Sequence, residues 1–302
     1  MDVNSLFDVK GKVVLVTGGA KGIGRMISEG FVANGAKVYI SSRDGKACEQ
    51  AAKELTALGT HLITSSPHHH PPTPPGFIIP ITRYEQPPTH HRPQGKPSGG
   101  SASSLPADLQ SLDACKTLAA ELSKLEPAGL DVLVNNSGAA WGEPLETHPD
   151  AAWTKLLTLN LQRVFTLTQL LIPQLEKKGG PSSPSRIINI GSIDALRVPT
   201  MENYAYSASK AGLHHLTRTL AVALGPRGVT VNTLACGPFP SKMMRAVLDS
   251  AGDAIAEANP LGRIGTPQDA AGACLFLCGR AGAFVNGATL ALDGGVSLLA
   301  RL

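Results

Sequence analysis

The sequence has little charge and few aromatic residues, and it lacks the long apolar runs of a membrane protein. Charged residues make up 17% of the 302 residues, aromatic residues make up 4%, and the formal net charge is only +4. A nucleic-acid-binding domain usually carries a stronger, clustered basic surface, so that class of protein is not expected. No apolar run approaches the ~20 residues that span a bilayer, and MDVNSLFDVKGK lacks the apolar core of a secretory signal. We therefore expect a cytoplasmic protein with no nucleic-acid or membrane partner.

Cysteine is also scarce. The five cysteines are an odd number, are widely scattered and match no zinc-ligand spacing. Cys274 and Cys278 lie one helical turn apart, which could suggest a pair of metal ligands. Two small apolar residues on a buried helix face are the simpler interpretation. The pattern favours a reducing, intracellular environment and predicts no metal site.

The sequence does contain a regular alternation of strand-like and helix-like segments. Short apolar runs, among them KVVLVTGG, LDVLVNNSG and SRIINIGS, alternate with longer segments of helical spacing. Strands that are apolar on both faces and separated by helices predict a parallel sheet that is covered on both sides. This is the doubly wound α/β architecture of the Rossmann fold. We predict a single such domain over residues 1–302.

One segment interrupts this alternation. Residues 61–98 hold ten of the 23 prolines and six of the nine histidines, including the stretch PHHHPPTPPG. Because proline excludes regular helix and central strand, we predict a disordered, low-complexity insertion over residues 60–100, ahead of a short strand near Ala102–Leu105. A metal site would need histidines held in a fixed geometry, which nothing in this segment provides. Two origins stay open: a flexible lineage-specific loop, or intron sequence translated in a gene model.

The first predicted strand runs into a glycine-rich loop, TGGAKGIG, at residues 17–24. Gly18 permits a sharp turn, Gly22 lets the backbone approach a pyrophosphate, and Gly24 lets the next helix pack closely on the sheet. The free N–H groups at the start of that helix, from Ile23 onward, and the positive end of its dipole suit phosphates. The order of strand, loop and helix therefore predicts a nucleotide-binding site.

The spacing of this loop, T-G-x-x-x-G-x-G, resembles the glycine loop of the short-chain dehydrogenase/reductase family. The resemblance extends from Gly11 to Gly295, interrupted only by the insertion, and LDGG at residues 292–295 fits the C-terminal strand of the family. The stretches AWGEPLE, RIINIGS, YAYSASKAGLHHL and GPFPSKM are similar in particular to 3-oxoacyl-thioester reductases of the rhamnolipid-pathway type. The resemblance implies reduction of a 3-oxoacyl thioester by a homotetramer or homodimer.

The end of the second predicted strand indicates which nucleotide is bound. An NAD-binding fold places an acid there, which accepts hydrogen bonds from the ribose 2′-hydroxyl. Here the position is Ser42, followed by Arg43, and Lys21 lies in the glycine loop. The two cations could pair with a 2′-phosphate, while Asp44, one residue further on, is expected to point away. We therefore expect NADP(H), with a merely solvated Arg43 as the alternative.

The resemblance adds further residues to the expected cofactor groove. The segment LPADLQ matches the pair that flanks the adenine in the family, VNNSG matches its N-N-A-G motif, and LACGPFPSKM is similar to its P-G-x-x-x-T segment near the nicotinamide. Serine replaces alanine at Ser137, Cys236 replaces the usual proline, and Ser241 replaces the usual threonine. The cofactor-binding residues that these matches imply are Asp108, Leu109, Asn135, Asn136, Gly138, Gly237 and Ser241.

The motif YSASK supplies Tyr206 and Lys210, which lie on one face of a helix because they are four residues apart. The pKa of free tyrosine is ~10, and we expect the lysine ammonium and an oxidised nicotinamide to lower it. Tyr206 can then give a proton to a ketone oxygen while hydride reaches the carbon, or do the reverse. Lys210 can also hold the nicotinamide ribose, so both residues are predicted to be catalytic and cofactor-binding. Tyr204, six residues before Lys210, would project from a different face.

Two further residues complete the predicted catalytic set. Ser192, at the end of the strand IINIGS, could hydrogen-bond the substrate carbonyl. Asn160 matches the fourth catalytic position of the family, which helps to seat a water relayed to the lysine. Taken singly, Ser192 could be a helix cap, and Asn160 could be a core residue bonded to the backbone. His214 and His215 are expected to face solvent or a partner subunit.

Together these predictions describe an NADPH-dependent enzyme that reduces a ketone, most directly a 3-oxoacyl thioester. Substrate contacts are expected from the stretch after Gly138, including Trp141, and from residues 238–259. A secondary-metabolite, steroid or polyol-type ketoreductase stays open, as does a non-catalytic NADP(H)-binding protein. A peroxisomal location is an alternative to the cytoplasm, because Ala300-Arg301-Leu302 resembles a peroxisomal address.

Overall fold

The computed structural model describes residues 2–60 and 99–299. Within them, seven strands form a wholly parallel sheet in the order β3-β2-β1-β4-β5-β6-β7. The strands are β1 (Val13–Thr17), β2 (Lys37–Ser41), β3 (Ser101–Ser104), β4 (Val132–Asn135), β5 (Ser185–Ile190), β6 (Val229–Cys236) and β7 (Thr289–Leu292). The predicted doubly wound parallel sheet is confirmed.

Helices cover both faces of the sheet. They are α1 (Val3–Leu6), α2 (Gly22–Ala33), α3 (Gly45–Thr60), α4 (Leu112–Leu125), α5 (Asp150–Leu157), α6 (Arg163–Lys178), α7 (Tyr204–Leu224), α8 (Arg245–Glu257) and α9 (Pro267–Cys278). None of these helices, all within the described residues, is both long and apolar enough to cross a membrane.

The two cores follow from the alternation of side chains along each strand. In β1, Val14 and Val16 point into a core shared with α2, α3 and α9, whereas Val13 and Leu15 point into a core shared with α4, α6 and α7. Every residue of β1 is buried, as expected for a central strand of a sheet that is covered on both faces. All five cysteines are free and buried, and Cys274 and Cys278 lie in the first core, as the simpler interpretation predicted.

The stretch AAWTKLLTLNLQRVFTLTQLLIPQL, residues 151–175, has the apolar spacing of one long helix, but the structure divides it. A π-helical turn, Thr158–Gln162, separates α5 from α6. Such turns contain an extra residue and commonly occur at functional sites. The apolar spacing of the sequence continues across the turn, so the sequence alone did not reveal it.

The predicted bounds of the insertion, residues 60–100, include one residue of the fold at the start and one at the end. Thr60 is the last residue of α3, and Gly100 is buried against the carbonyl of Val32, so both belong to the fold. The main-chain N–H of Gly99 donates to the carbonyl of Gly59 at 3.3 Å. Strand β3 runs from Ser101 to Ser104, one residue earlier than predicted. The stretch PHHHPPTPPG lies outside the described residues.

Removal of residues 62–98 is expected to leave the fold intact. In the shortened chain, the existing hydrogen bond between Gly59 and Gly99 would become the closing bond of a four-residue turn, Gly59-Thr60-His61-Gly99. The entropic cost of closing a flexible loop grows by ~0.6 kcal/mol per doubling of its length, so the shorter connection should be at least as stable. Thermal unfolding followed by circular dichroism measures this stability.

The same shortened chain should bind NADPH, the cofactor that the sequence predicts, at least as tightly as the full chain. A less cooperative unfolding transition, or a weaker NADPH affinity, would show that residues 62–98 support the fold or the cofactor groove.

Candidate active site

The candidate site lies where the chain changes direction along the sheet. From β1 the chain moves outward to β2 and β3, and it then returns to β4 on the other side of β1. The carboxyl ends of β1 and β4 therefore border a crevice, the usual position of ligand sites in doubly wound sheets. Gly18 follows β1 at this edge, and Asn136 follows β4.

The glycine loop has the geometry that its spacing predicts. Gly18 and Gly22 have φ angles of +66° and +55°, in the left-handed region that favours glycine. A Cβ atom at Gly24 would collide with the carbonyl of Gly18 and with the side chain of Asn136. Helix α2 begins at Gly22, and the preceding residue, Lys21, makes no side-chain cap. The N–H groups of its first turn, including that of Ile23, are therefore available to an anion.

Asn136 holds this loop from the side of β4. Its amide nitrogen donates to the carbonyls of Thr17 and Gly18, at 2.9 and 3.3 Å. In return, the hydroxyl of Thr17 accepts the main-chain N–H groups of Asn136 and Ser137, both at 2.9 Å. These reciprocal bonds join the ends of β1 and β4, so the loop is preorganised by the neighbouring strand.

Asn135 was also predicted to bind the cofactor, which stays a prediction, and its side chain is bonded within the protein. Its side chain is buried and donates to Asn189 at 2.9 Å, and Asn189 donates to Thr217 at the same distance. This chain links β4, β5 and α7 beneath the crevice. The twofold alternation along β4 explains the difference, because adjacent residues of a strand point to opposite faces.

The residues predicted to choose the nucleotide lie at the end of β2 and in the glycine loop, and the prediction for Asp44 was wrong. Ser42 is half-buried, and Arg43 is exposed at the carboxyl end of β2. Asp44 does not point away, because its carboxylate lies 3.0 Å from the ammonium of Lys21. The reason is the start of α3: Asp44 accepts the N–H of Ala47, which turns the carboxylate toward the glycine loop. This bond and then Lys21 lower the pKa of Asp44.

The pair predicted to flank the adenine is divided between surface and core. Asp108 is exposed beyond the end of β3 and accepts the N–H of Gln110 at 3.1 Å. Leu109 is buried in the core beneath α4, so its side chain supports the groove from below. Neither feature contradicts an adenine site at Asp108, which stays a prediction.

Three of the predicted catalytic residues lie together. Lys210 is buried, and its ammonium donates to the carbonyl of Ile190, at the end of β5, at 2.7 Å. The same ammonium lies 5.8 Å from the ring centre of Tyr206. The hydroxyl of Tyr206 lies close enough to the Ser192 side chain for the serine to lower its pKa. A serine and a tyrosine hydroxyl therefore converge beside a buried cation.

The pKa of Tyr206 is shifted in the direction opposite to the prediction. Desolvation of the half-buried side chain raises it to about 12 and outweighs the effect of Ser192, which lowers it. Burial also lowers the pKa of Lys210 to about 8. The sequence showed a lysine one helical turn away, but it did not show that the fold removes both polar groups from water. At neutral pH Tyr206 therefore carries its proton and can donate it.

Asn160 lies in the π-helical turn and is almost fully buried. Its side chain accepts the N–H of Ala139 at 2.9 Å, and it donates to the carbonyl of Ala139 and to the hydroxyl of Ser209. The observed contacts are those of a core residue bonded to the backbone, the alternative that the sequence left open. A Cβ at Gly138 would lie 3.2 Å from the Asn160 oxygen and 3.7 Å from the Lys210 ammonium. The water relay stays a prediction.

The loop after β6 closes the crevice from above. The N–H of Gly237 donates to Leu292 of β7 at 3.0 Å. A Cβ at Gly22 would lie 3.1 Å from Ser241, so this loop packs against the glycine loop. Cys236, in place of the usual proline, is buried, and burial raises the pKa of its thiol to about 12. The thiol is therefore protonated at neutral pH.

The sequence prediction that His214 faces solvent or a partner subunit was wrong. His215 is exposed as expected, but His214 is buried, and its Nε2 atom accepts the main-chain N–H of Ser192 at 3.4 Å. The signal that could have revealed it is its spacing: His214 follows Lys210 by four residues, just as Lys210 follows Tyr206. The three residues therefore share one face of α7.

The predicted substrate loops lie at the rim of the site. Trp141 is partly exposed after β4, and the ammonium of Lys155 lies 5.2 Å from the centre of its ring. Tyr204 donates its hydroxyl to Glu202 at 3.0 Å in an exposed position, so it does not share the contacts of Tyr206. Within residues 2–60 and 99–299, no group of three or more histidine, cysteine or acidic side chains is arranged to hold a metal.

Comparisons with known proteins find relatives that match most of the chain. Residues 83–297 match a family model described as Enoyl-(Acyl carrier protein) reductase, and residues 12–67 match one described as short chain dehydrogenase. A rhamnolipids biosynthesis 3-oxoacyl-[acyl-carrier-protein] reductase of Pseudomonas aeruginosa is 35% identical over 97% of this chain and 98% of its own length. The 3-oxoacyl-[acyl-carrier-protein] reductase FabG of Escherichia coli is 30% identical over 96% of this chain and 99% of its own length.

A solved structure is similar over the same extent. The Pseudomonas aeruginosa RhlG/NADP active-site complex matches with a TM-score of 0.81 and 34% identity, and covers 97% of this chain and 99% of that chain. The crevice, the glycine loop and the half-buried Tyr206 beside the buried Lys210 define a nucleotide-dependent oxidoreductase. The chain belongs to the short-chain dehydrogenase/reductase family, as the resemblance indicated.

Asn136→Ala is expected to destabilise the fold by about 1–3 kcal/mol, because the carbonyls of Thr17 and Gly18 would lose their partner. Ser137→Ala is the matched control. Only the main-chain N–H of Ser137 bonds to Thr17, and the substitution keeps it. Urea unfolding measures both free energies of unfolding. Equal values for the two variants would show that the Asn136 side chain does not hold the loop.

Proposed function

We propose that this oxidoreductase uses NADPH to reduce a ketone to a secondary alcohol, and that the ketone is a 3-oxoacyl thioester of acyl carrier protein or coenzyme A. The observation that carries the proposal is the convergence of the Tyr206 and Ser192 hydroxyls beside the Lys210 ammonium. The names of the two relatives, both 3-oxoacyl-[acyl-carrier-protein] reductases, support the substrate class.

The reductive direction needs a protonated Tyr206, and its raised pKa keeps the side chain protonated at neutral pH. A ketone oxygen placed between Ser192 and Tyr206 would accept a hydrogen bond from each hydroxyl. The nicotinamide supplies hydride to the carbonyl carbon when it is bound. Tyr206, with a pKa of about 12, gives its proton to the oxygen, so that the product is a neutral alcohol. Lys210, charged below its pKa of about 8, stabilises the tyrosinate that remains.

The glycine loop fits a dinucleotide. A side chain at Gly24 would fill the space that the loop needs, and the first turn of α2 is uncapped beside it. The end of β2 fits a 2′-phosphate better than a bare ribose, because Ser42 stands where NAD-binding folds place an acid. Lys21 and Arg43 supply positive charge there, although Lys21 is paired with Asp44. A 2′-phosphate would compete with Asp44 for the ammonium of Lys21.

We also propose that the chain forms a homotetramer or homodimer. Phe165 of α6 is 43% exposed, and Val222 of α7 is 79% exposed. Large apolar side chains on the outer faces of two long helices favour burial against a second copy.

Asp44→Asn is expected to tighten NADPH binding several-fold and to change NADH binding less. The substitution removes the charge that pairs with Lys21 at 3.0 Å, and asparagine can still accept the Ala47 N–H that caps α3. Fluorescence titration with each nucleotide gives the ratio of the two dissociation constants. The control is Asp113→Asn, which makes the same change of charge at an exposed residue paired with Lys116. An unchanged ratio in Asp44→Asn would argue against phosphate binding by Lys21.

Tyr206→Phe is expected to lower kcat for a medium-chain 3-oxoacyl thioester by about 10²–10⁴-fold, because the proton donor is lost. The dissociation constant of NADPH should change little. Turnover is followed by the loss of NADPH absorbance. Tyr204→Phe, which removes only a hydroxyl bonded to exposed Glu202, should retain full activity.

The same assay separates the alternatives for the substrate. Activity on a polyol-derived or steroid ketone but not on the thioester would show that the protein is a reductase with a different substrate class. NADPH binding with no turnover of any of these ketones would favour the non-catalytic alternative. Full activity of Tyr206→Phe would contradict the proposed mechanism.

A further inference from the structure

Two side chains of α7 hold the turn that follows β5. Lys210 donates to the carbonyl of Ile190 at 2.7 Å, and His214 accepts the N–H of Ser192 at 3.4 Å. These two main-chain groups lie on either side of Gly191. Because Lys210 and His214 are four residues apart on a helix, they reach the turn from the same face. One side chain serves as the donor and the other as the acceptor.

The imidazole of His214 is tightly packed. The residue is 4% exposed, and a Cβ at Gly191 would collide with its Nε2 atom, so glycine is needed where the ring meets the turn. Burial, together with the charges of Lys210 and Arg218, lowers the pKa of His214 to about 4. The ring is therefore neutral at physiological pH, with its proton on Nδ1 when Nε2 accepts the Ser192 N–H.

The direction of the Ser192 hydroxyl depends on the backbone of this turn. Its oxygen accepts the N–H of Asp194 at 3.1 Å, which starts the short 3₁₀ helix Ile193–Ala195. The same hydroxyl faces Tyr206 closely enough to lower the pKa of the tyrosine. With both contacts set by the position of the main chain, a small rotation at Gly191 would move the hydroxyl away from the tyrosine.

We propose that His214 is a positioning residue for the reaction: by accepting the N–H of Ser192, it keeps the Ser192 hydroxyl beside Tyr206 and the substrate carbonyl. This role rests on the proposed reductase function, since Ser192 contacts substrate only in that reaction. The bond itself does not depend on that function. The positioning role of His214 and the proposed reductase function can therefore be tested separately.

The first test measures the bond without turnover. Hydrogen exchange at the Ser192 amide is compared in the full-length wild type and in His214→Leu, which removes the acceptor. Exchange should be roughly tenfold faster in the variant, because a buried N–H loses its partner. His214→Gln, whose amide oxygen can reach the same N–H, should restore slow exchange. His215→Leu is the matched control, since that exposed neighbour should leave the exchange rate unchanged.

The second test asks whether His214 acts through Ser192. With a 3-oxoacyl thioester, His214→Leu should lower kcat roughly tenfold and leave the NADPH dissociation constant unchanged. In a Ser192→Ala background the same substitution should have no further effect on kcat. His214→Gln should recover most of the lost kcat, which a merely structural role would not predict.

The outcomes separate the two ideas. Unchanged amide exchange in folded His214→Leu overturns the positioning role, whether or not the protein is a reductase. Losses of kcat that are additive with Ser192→Ala also overturn it, because His214 would then act elsewhere. An inactive wild type with faster exchange in the variant would reject the proposed function and leave the bond established. If His214→Leu does not fold, His214→Asn, which is too short to reach, takes its place against His214→Gln.

Discussion

The burial of the Lys210 ammonium is the constraint on which the candidate site depends. An unpaired charge in the interior of a protein is costly, so the ammonium must have a close partner. That partner is the carbonyl of Ile190, 2.7 Å away at the end of β5. The bond holds α7 against the strand, and α7 also carries Tyr206 and His214. This hydrogen bond therefore helps to set the positions of Tyr206 and of the turn that carries Ser192.

A ladder of buried polar side chains supports this arrangement from below. Asn135 donates to Asn189, Asn189 donates to Thr217, and Thr233 donates to Thr217, at 2.7 to 2.9 Å. The ladder connects β4, β5 and β6 to α7. Because buried polar groups are stable only when they are paired, it permits few alternative positions of the helix on the sheet. Apolar packing alone would allow α7 to shift more easily.

The glycine loop is held by neutral hydrogen bonds on its inner side and by an ion pair at its outer edge. Asn136 fixes its backbone through neutral hydrogen bonds to Thr17 and Gly18, and these do not depend on charge. The exposed pair Lys21–Asp44 sits at its outer edge, where water and salt weaken the attraction. The rigid part of the loop that Asn136 holds suits the pyrophosphate of a dinucleotide. The weaker Lys21–Asp44 pair, in contrast, can be separated by a competing anion.

Local patterns in the sequence determined the parallel sheet, the glycine loop and the shared face of Tyr206 and Lys210. Strand alternation, left-handed glycines and the spacing of four residues along a helix are short-range properties, so they can be predicted from neighbouring residues. Only the tertiary structure decided that His214 is buried, that Asn135 points into the core and that Asp44 faces Lys21. It also reversed the predicted shift of the Tyr206 pKa. Each of these features depends on burial or on contacts between residues far apart in the chain, and the local sequence does not contain that information.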